Sequence, residues 1–144
     1  MTYYLSLGAN LGNRELTIQK ALQQIEQRIG NVDRCSSFFY SEPWGFQSEH
    51  PFCNLCCRLI TEAEPLEVLA ATQAIERELG RAHKSTDGNY SDRTIDIDLI
   101  RAFDDEGQEI KCQISNHQSL LLSLPHPLWQ QRDFVRTPLS EIMD

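Results

Sequence analysis

The sequence has no apolar run approaching the roughly 18 residues that a membrane helix requires. Its first residues, MTYYLSLGAN, show no basic start, apolar core and small-residue cleavage site of a secretory leader. These two absences lead to the expectation of a soluble, cytoplasmic protein with no membrane partner. Repeats, low-complexity tracts and Pro- or Gly-rich linkers are missing too, and 144 residues of which 40% are hydrophobic fit one domain spanning 1–144. Positive charge is scarce, with 13 Lys and Arg against 21 Asp and Glu for a net charge of −8. That balance argues against a general affinity for nucleic acid or anionic lipid, while leaving room for a small, focused basic site. Cysteines are odd in number, at five. With Cys53, Cys56 and Cys57 crowded on one expected strand, they read as reduced thiols packed as small hydrophobes. A zinc site would need His50 and Cys35 as further ligands and is set aside.

What is present alternates between strand and helix patterns. Tyr3, Leu5 and Leu7 alternate with Thr2, Tyr4 and Ser6, predicting a strand that ends at Gly8. GANLGN then turns the chain, and Asn13 is placed to cap a helix whose inner face is Ile18, Ala21, Leu22, Ile25 and Ile29, with Gly30 as its stop. A second strand is expected over Val32 to Tyr40. Glu42-Pro43-Trp44-Gly45 marks a loop, and a third strand is expected over Phe52 to Thr61. Pro65 and Gly80 bracket a second helix with Val68, Ala71, Ile75 and Leu79 as its apolar stripe. TIDIDLI gives a fourth strand of strict alternation. The order β, α, β, β, α, β is that of an α+β, ferredoxin-like plait: an antiparallel sheet with helices on one face. The polar stretch 104–119 reads as a surface excursion, and the last quarter as loops and a short helix folding over this plan.

In Thr94 to Ile100, Ile95, Ile97 and Leu99 share one face while Asp96 and Asp98 share the other. From the strand rise, two alternate positions lie about 7 Å apart at their backbones. That spacing suits one or two hard divalent cations completed by phosphates and water; a solvated polar edge is the plain alternative. Arg81, His83, Lys84 and Arg93 lie just upstream, so a cationic cluster leads into the carboxylate pair. Guanidinium groups for phosphate oxygens and carboxylates for Mg²⁺ are what phosphoryl transfer uses, although surface pairing of Arg93 with either aspartate would explain the same residues. Phe52 and Asn54 fall on one face of the third strand, and Trp44 and Phe134 are aromatics in or beside expected loops. They have the composition of a platform for a planar heterocycle, and equally of a core. Gln73 and Glu76 lie on the mixed face of the second helix. GANLGN lacks the Gly-Lys-Ser/Thr ending of a P-loop, and His117 and His126 have no Ser or Cys in a nucleophile setting.

Taken together, LSLGANLGNRE, SSFFYSEPWGF, HPFCN, TQAIERELGR, DRTIDIDLI and LPHPLWQQRDFV resemble the 6-hydroxymethyl-7,8-dihydropterin pyrophosphokinase family across nearly the whole chain. The resemblance implies transfer of a pyrophosphoryl group from ATP to 6-hydroxymethyl-7,8-dihydropterin with release of AMP, by a monomer using two Mg²⁺ ions. It implies Asp96 and Asp98 as magnesium ligands, Arg81 and Arg93 as catalytic groups at the transferred phosphates, and Lys84 in the same loop. Ser41, Trp44, Phe52, Asn54 and Phe134 correspond to the pterin site, with the ring between the two phenylalanines. Gln73, Glu76, Leu99, Ser123, His126 and Arg132 correspond to the nucleotide side. The chain departs from the family pattern where Ser91-Asp92 replaces Gly-Pro before Arg93, where Tyr90 replaces Trp, where Pro127 replaces an aromatic and where Ser41 replaces Thr. Asp92 motivates a rival reading, a catalytically weakened pterin- or nucleotide-binding relative with a regulatory or scaffolding role.

Overall fold

The computed structural model describes residues 1–41, 51–80, 94–116 and 120–143. Along the chain run β1 (Thr2–Ala9), α1 (Arg14–Arg28), β2 (Asn31–Cys35), β3 (Phe39–Ser41), β4 (Phe52–Ile60), α2 (Pro65–Gly80) and β5 (Asp96–Phe103). There follow β6 (Cys112–Ser115), β7 (Leu120–Leu124), a 3₁₀ turn at Trp129–Gln131 and α3 (Asp133–Ile142). The main sheet has the order β2-β4-β1-β5 with β3 also on β4, and every pairing is antiparallel. This is the expected plait.

The helix side of the sheet is built from the odd positions Tyr3, Leu5 and Leu7 of β1 with Cys53, Leu55, Cys57 and Leu59 of β4 and Ile97 and Leu99 of β5. Ile18, Ala21 and Ile25 of α1 and Val68 and Ile75 of α2 close over them. Burying each of these large side chains contributes roughly 1.5–3 kcal/mol. Asn13 caps α1 as expected, its side chain accepting from the Leu16 N–H at 3.2 Å. At Gly30, just past the helix, only glycine fits: a Cβ there would stand 2.3 Å from the Ile60 carbonyl oxygen. On α2 the stripe is shifted, because Thr72 rather than Ala71 is fully buried, its hydroxyl satisfied by the Leu69 carbonyl at 2.9 Å.

Three elements differ from the sequence expectation. The strand expected over Val32 to Tyr40 is broken into β2 and β3. At the break Ser36 donates its N–H to the Cys56 carbonyl, and its hydroxyl accepts the Cys56 N–H, so a side chain replaces a regular ladder partner. A helix also covers the second face of the sheet, where the sequence predicts helices on one face only. Tyr4, Cys56 and Ile100 pack against Val135, Leu139 and Ile142 of α3, which covers the second face of the sheet. Finally, part of the polar stretch and the residues after it form the two-stranded β6-β7 sheet, in which Ile114 stands opposite Leu122. All five cysteines are free thiols, and Cys56 and Cys57 point to opposite faces, one into each core.

Candidate active site

The candidate site lies on the α3 side of the sheet, beyond the part that α3 fills. Gly8 of β1 is directly opposite Asn54 of β4 on one side and Asp96 of β5 on the other, and Ser6 is likewise opposite Cys56 and Asp98. Asn54, Gly8 and Asp96 therefore form one row across three strands. With neighbouring strands about 4.8 Å apart, the two outer backbones are about 10 Å from each other. A side chain at Gly8 would crowd the site, since a Cβ would meet the Asn54 Oδ1 at 3.1 Å and touch the Phe52 ring at 3.6 Å.

Asn54 is 2% exposed, and its orientation is fixed by its own hydrogen bonds. Its Nδ2 donates to the Phe39 carbonyl at 3.0 Å and to the Ser41 hydroxyl at 2.8 Å. Those bonds hold the amide nitrogen against β3 and turn Oδ1 toward Gly8, so the amide has one defined way to meet a ligand edge. Ser41 pairs with Phe52 across β3 and β4, which puts three of the expected pterin contacts within one short ladder. Phe134 enters from the first turn of α3, half-buried and packed against the α3-side core. The Arg132 guanidinium lies 5.7 Å from the centre of the Phe134 ring, a cation-π arrangement that ties a cation to the aromatic wall.

Asp96 and Asp98 are both half-buried on β5, alternating with buried Ile97 and Leu99 as the sequence pattern predicts. Glu76 reaches them from α2 and accepts the Ile97 N–H at 2.7 Å. Burial, opposed by that backbone bond and reinforced by the charges of Asp96 and Asp98, pushes the Glu76 carboxyl up to about 8. Glu76, which the resemblance places on the nucleotide side, therefore also stands beside the Asp96–Asp98 pair. Oxygen-only donors crowded to the point of mutual repulsion fit a hard dication such as Mg²⁺. Among the described residues no three His, Cys, Asp or Glu side chains converge as a complete ligand set. A cation here would thus take the rest of its oxygens from phosphates and water.

The expected nucleotide residues come from α2, β5, β7 and the segment between β7 and α3. His126 follows β7 and donates its backbone N–H to the Ile100 carbonyl at 2.8 Å. Its Nδ1 accepts the Leu128 N–H at 3.1 Å, so a neutral ring carries its proton on Nε2. Burial and the nearby Arg132 push the imidazole below its ordinary range, against the pull of Asp96. Ser123 is half-buried on β7, opposite Gln113. Gln73 is exposed on α2, three residues before Glu76 and hence on the same helix face. The Leu99 side chain is in the helix-side core, which leaves its backbone as the part available to a ligand. Trp44, Arg81, Lys84 and Arg93 lie outside the described residues. The sequence pattern marks Gly8 only as the end of the first strand and gives no sign of the Phe39 carbonyl; a glycine that continues inside a strand often marks a close approach.

Comparison with known proteins gives the family. Residues 4–144 match the family model described as 7,8-dihydro-6-hydroxymethylpterin-pyrophosphokinase (HPPK). The chain belongs to the HPPK family. A 2-amino-4-hydroxy-6-hydroxymethyldihydropteridine pyrophosphokinase of Porphyromonas gingivalis is 47% identical over 139 residues, covering 96% of this chain and 88% of that protein. A protein of the same name from Aquifex aeolicus is 33% identical over 141 residues, covering 98% of this chain and 79% of its own. Among solved structures, an HPPK-DHPS chain in complex with substrates superposes with a TM-score of 0.66 at 16% identity, over 98% of this chain and 40% of that one. That superposition supports the fold alone, which is the HPPK plait with its C-terminal additions.

Proposed function

We propose that the protein transfers the pyrophosphoryl group of ATP to the hydroxymethyl oxygen of 6-hydroxymethyl-7,8-dihydropterin and releases AMP, acting as a cytoplasmic monomer in folate synthesis. The observation that supports this best is the single row Asn54, Gly8, Asp96. It sets a fixed amide for a heterocycle edge about 10 Å from a carboxylate pair suited to a phosphate-bound cation.

In this reading Asn54 and Ser41 hold the pterin edge, and Phe52 and Phe134 sandwich the ring, so the hydroxymethyl arm points along the row toward Asp96. Gln73, Ser123, His126, the Leu99 backbone and Arg132 bind the nucleotide, with the His126 Nε2–H as a neutral donor at pH 7. Arg81, Arg93 and Lys84, by their place in the sequence, neutralise the transferred phosphates. Asp96 and Asp98 would hold two Mg²⁺ ions, which when bound offset the triphosphate charge and make the hydroxymethyl group more acidic. The pterin oxygen forms a bond to the β-phosphorus as the bond from that phosphorus to the α,β-bridging oxygen breaks. AMP keeps that oxygen, and the hydroxyl proton passes to solvent. Catalysis is then a matter of alignment and charge, and no side chain need act as a nucleophile.

The test is AMP formation from ATP with Mg²⁺ and the pterin, omitting each in turn. AMP that requires both is the expected result; AMP formed equally without the pterin would overturn the proposal. The rival reading, a weakened binding module, has nothing in the described site to favour it, since Asp96, Asp98, Asn54, Phe52 and Phe134 are all in place.

A further inference from the structure

Arg14 is the first residue of α1, where the positive end of the helix dipole meets its positive charge. Helix stability gives no reason for an arginine there, and the side chain is engaged elsewhere. Its Nη1 donates to the Pro51 carbonyl at 2.8 Å, and its guanidinium carbon lies 5.3 Å from the centre of the Tyr40 ring. The Tyr40 hydroxyl in turn donates to Glu15 Oε1 at 3.1 Å, and Glu15 sits 3.6 Å from the Arg14 guanidinium. Tyr40 directly precedes Ser41 and Pro51 directly precedes Phe52, and Ser41 and Phe52 are cross-strand partners. One guanidinium therefore joins the residues immediately before both members of that pair.

We infer that Arg14 is a positioning residue for the pterin pocket: by bridging Tyr40 and Pro51 it fixes the β3-β4 mouth and so the relation of Ser41 and Phe52 to Asn54. The inference rests on the assignment of those three residues to the pterin under the proposed function. An arginine suits the task because its planar group can face a ring while an in-plane N–H donates to a carbonyl. A lysine keeps the charge and a donor but not the stacked plane. Methionine keeps the stem and loses both interactions.

The experiment compares wild type, Arg14→Met, Arg14→Lys, Tyr40→Ala and the Arg14→Met/Tyr40→Ala double variant for KM of each substrate, kcat and Tm. In Arg14→Met the KM for the pterin rises roughly three- to tenfold, because the pterin must itself order the pocket that the guanidinium had held in place, while the KM for ATP stays unchanged. Arg14→Lys recovers part of the loss, and the double variant is no worse than the poorer single one because both remove the same bridge. An unchanged pterin KM in Arg14→Met, equal rises for both substrates, or no recovery in Arg14→Lys would overturn the inference. Wild-type protein that forms no pterin-dependent AMP would instead overturn the function beneath it.

Discussion

Asn54 and Asp96 stand at the same level of the sheet, each directly opposite Gly8. A residue of the expected pterin pocket and one of the expected cation site are thus separated by a single strand, at a position that has no side chain. A ligand passing from one to the other crosses bare backbone.

Replacing Gly8 by alanine puts a Cβ 3.1 Å from Asn54 Oδ1, so the amide must shift or the strand must move. Pterin affinity should fall roughly tenfold while ATP affinity holds, because small displacements of a positioning group are costly. Calorimetric titration of each ligand checks this. Equal binding of the pterin by both proteins would mean that Asn54 does not engage it.

Asp98→Asn keeps the shape of the side chain and removes its charge. Mg²⁺-dependent turnover should drop on the order of 10²-fold or more, with a near-unchanged circular dichroism spectrum, as expected for losing a group that neutralises charge in the transition state. Near-normal turnover would remove Asp98 from the cation site.

Phe134→Ala removes one wall of the expected ring slot. Stacking of this kind is worth about 0.5–1.5 kcal/mol, so pterin binding should weaken roughly three- to tenfold and ATP binding far less. Because Phe134 also packs against the α3-side core, the ATP titration is the control. Equal losses for both ligands would make it a core residue only.

Glu76 gives the pH prediction. Its carboxyl is held up to about 8 in the folded protein by burial and its acidic neighbours, above the ordinary 4.5 of an exposed glutamate. The folded state therefore keeps a proton that the unfolded state releases, and stability falls as pH rises from the ordinary carboxyl range through about 8. In metal-free protein Glu76→Gln, which mimics the protonated acid, should lose about 1–2 kcal/mol less than wild type between pH 5 and 8.5 in urea unfolding. Parallel pH profiles for the two proteins would show that Glu76 is not held protonated.

The sequence pattern carried the plait because its core elements are locally consistent. Alternation in β1 and β5, the Asn13 cap and the Pro65 start each point to the element that forms. What the pattern concealed depends on partners distant in sequence. The break between β2 and β3 is made by Ser36 bonding to Cys56, and burial of Tyr4 is made by α3, more than a hundred residues away. The site divides in the same way. The shared face of Asp96 and Asp98 on one strand, and of Phe52 and Asn54 on another, is visible in the sequence, whereas the row of Asn54, Gly8 and Asp96 needs the register of three strands. For Glu76, nothing in a helix sequence says that its carboxylate will meet the Ile97 N–H.

The most direct test of the account is the identity of the products formed from ATP, Mg²⁺ and 6-hydroxymethyl-7,8-dihydropterin, read by mass spectrometry. A pterin carrying a diphosphate on its hydroxymethyl oxygen, with one AMP for each, is the predicted result. A pterin monophosphate accompanied by ADP would contradict attack at the β-phosphorus and with it the alignment assigned to this site.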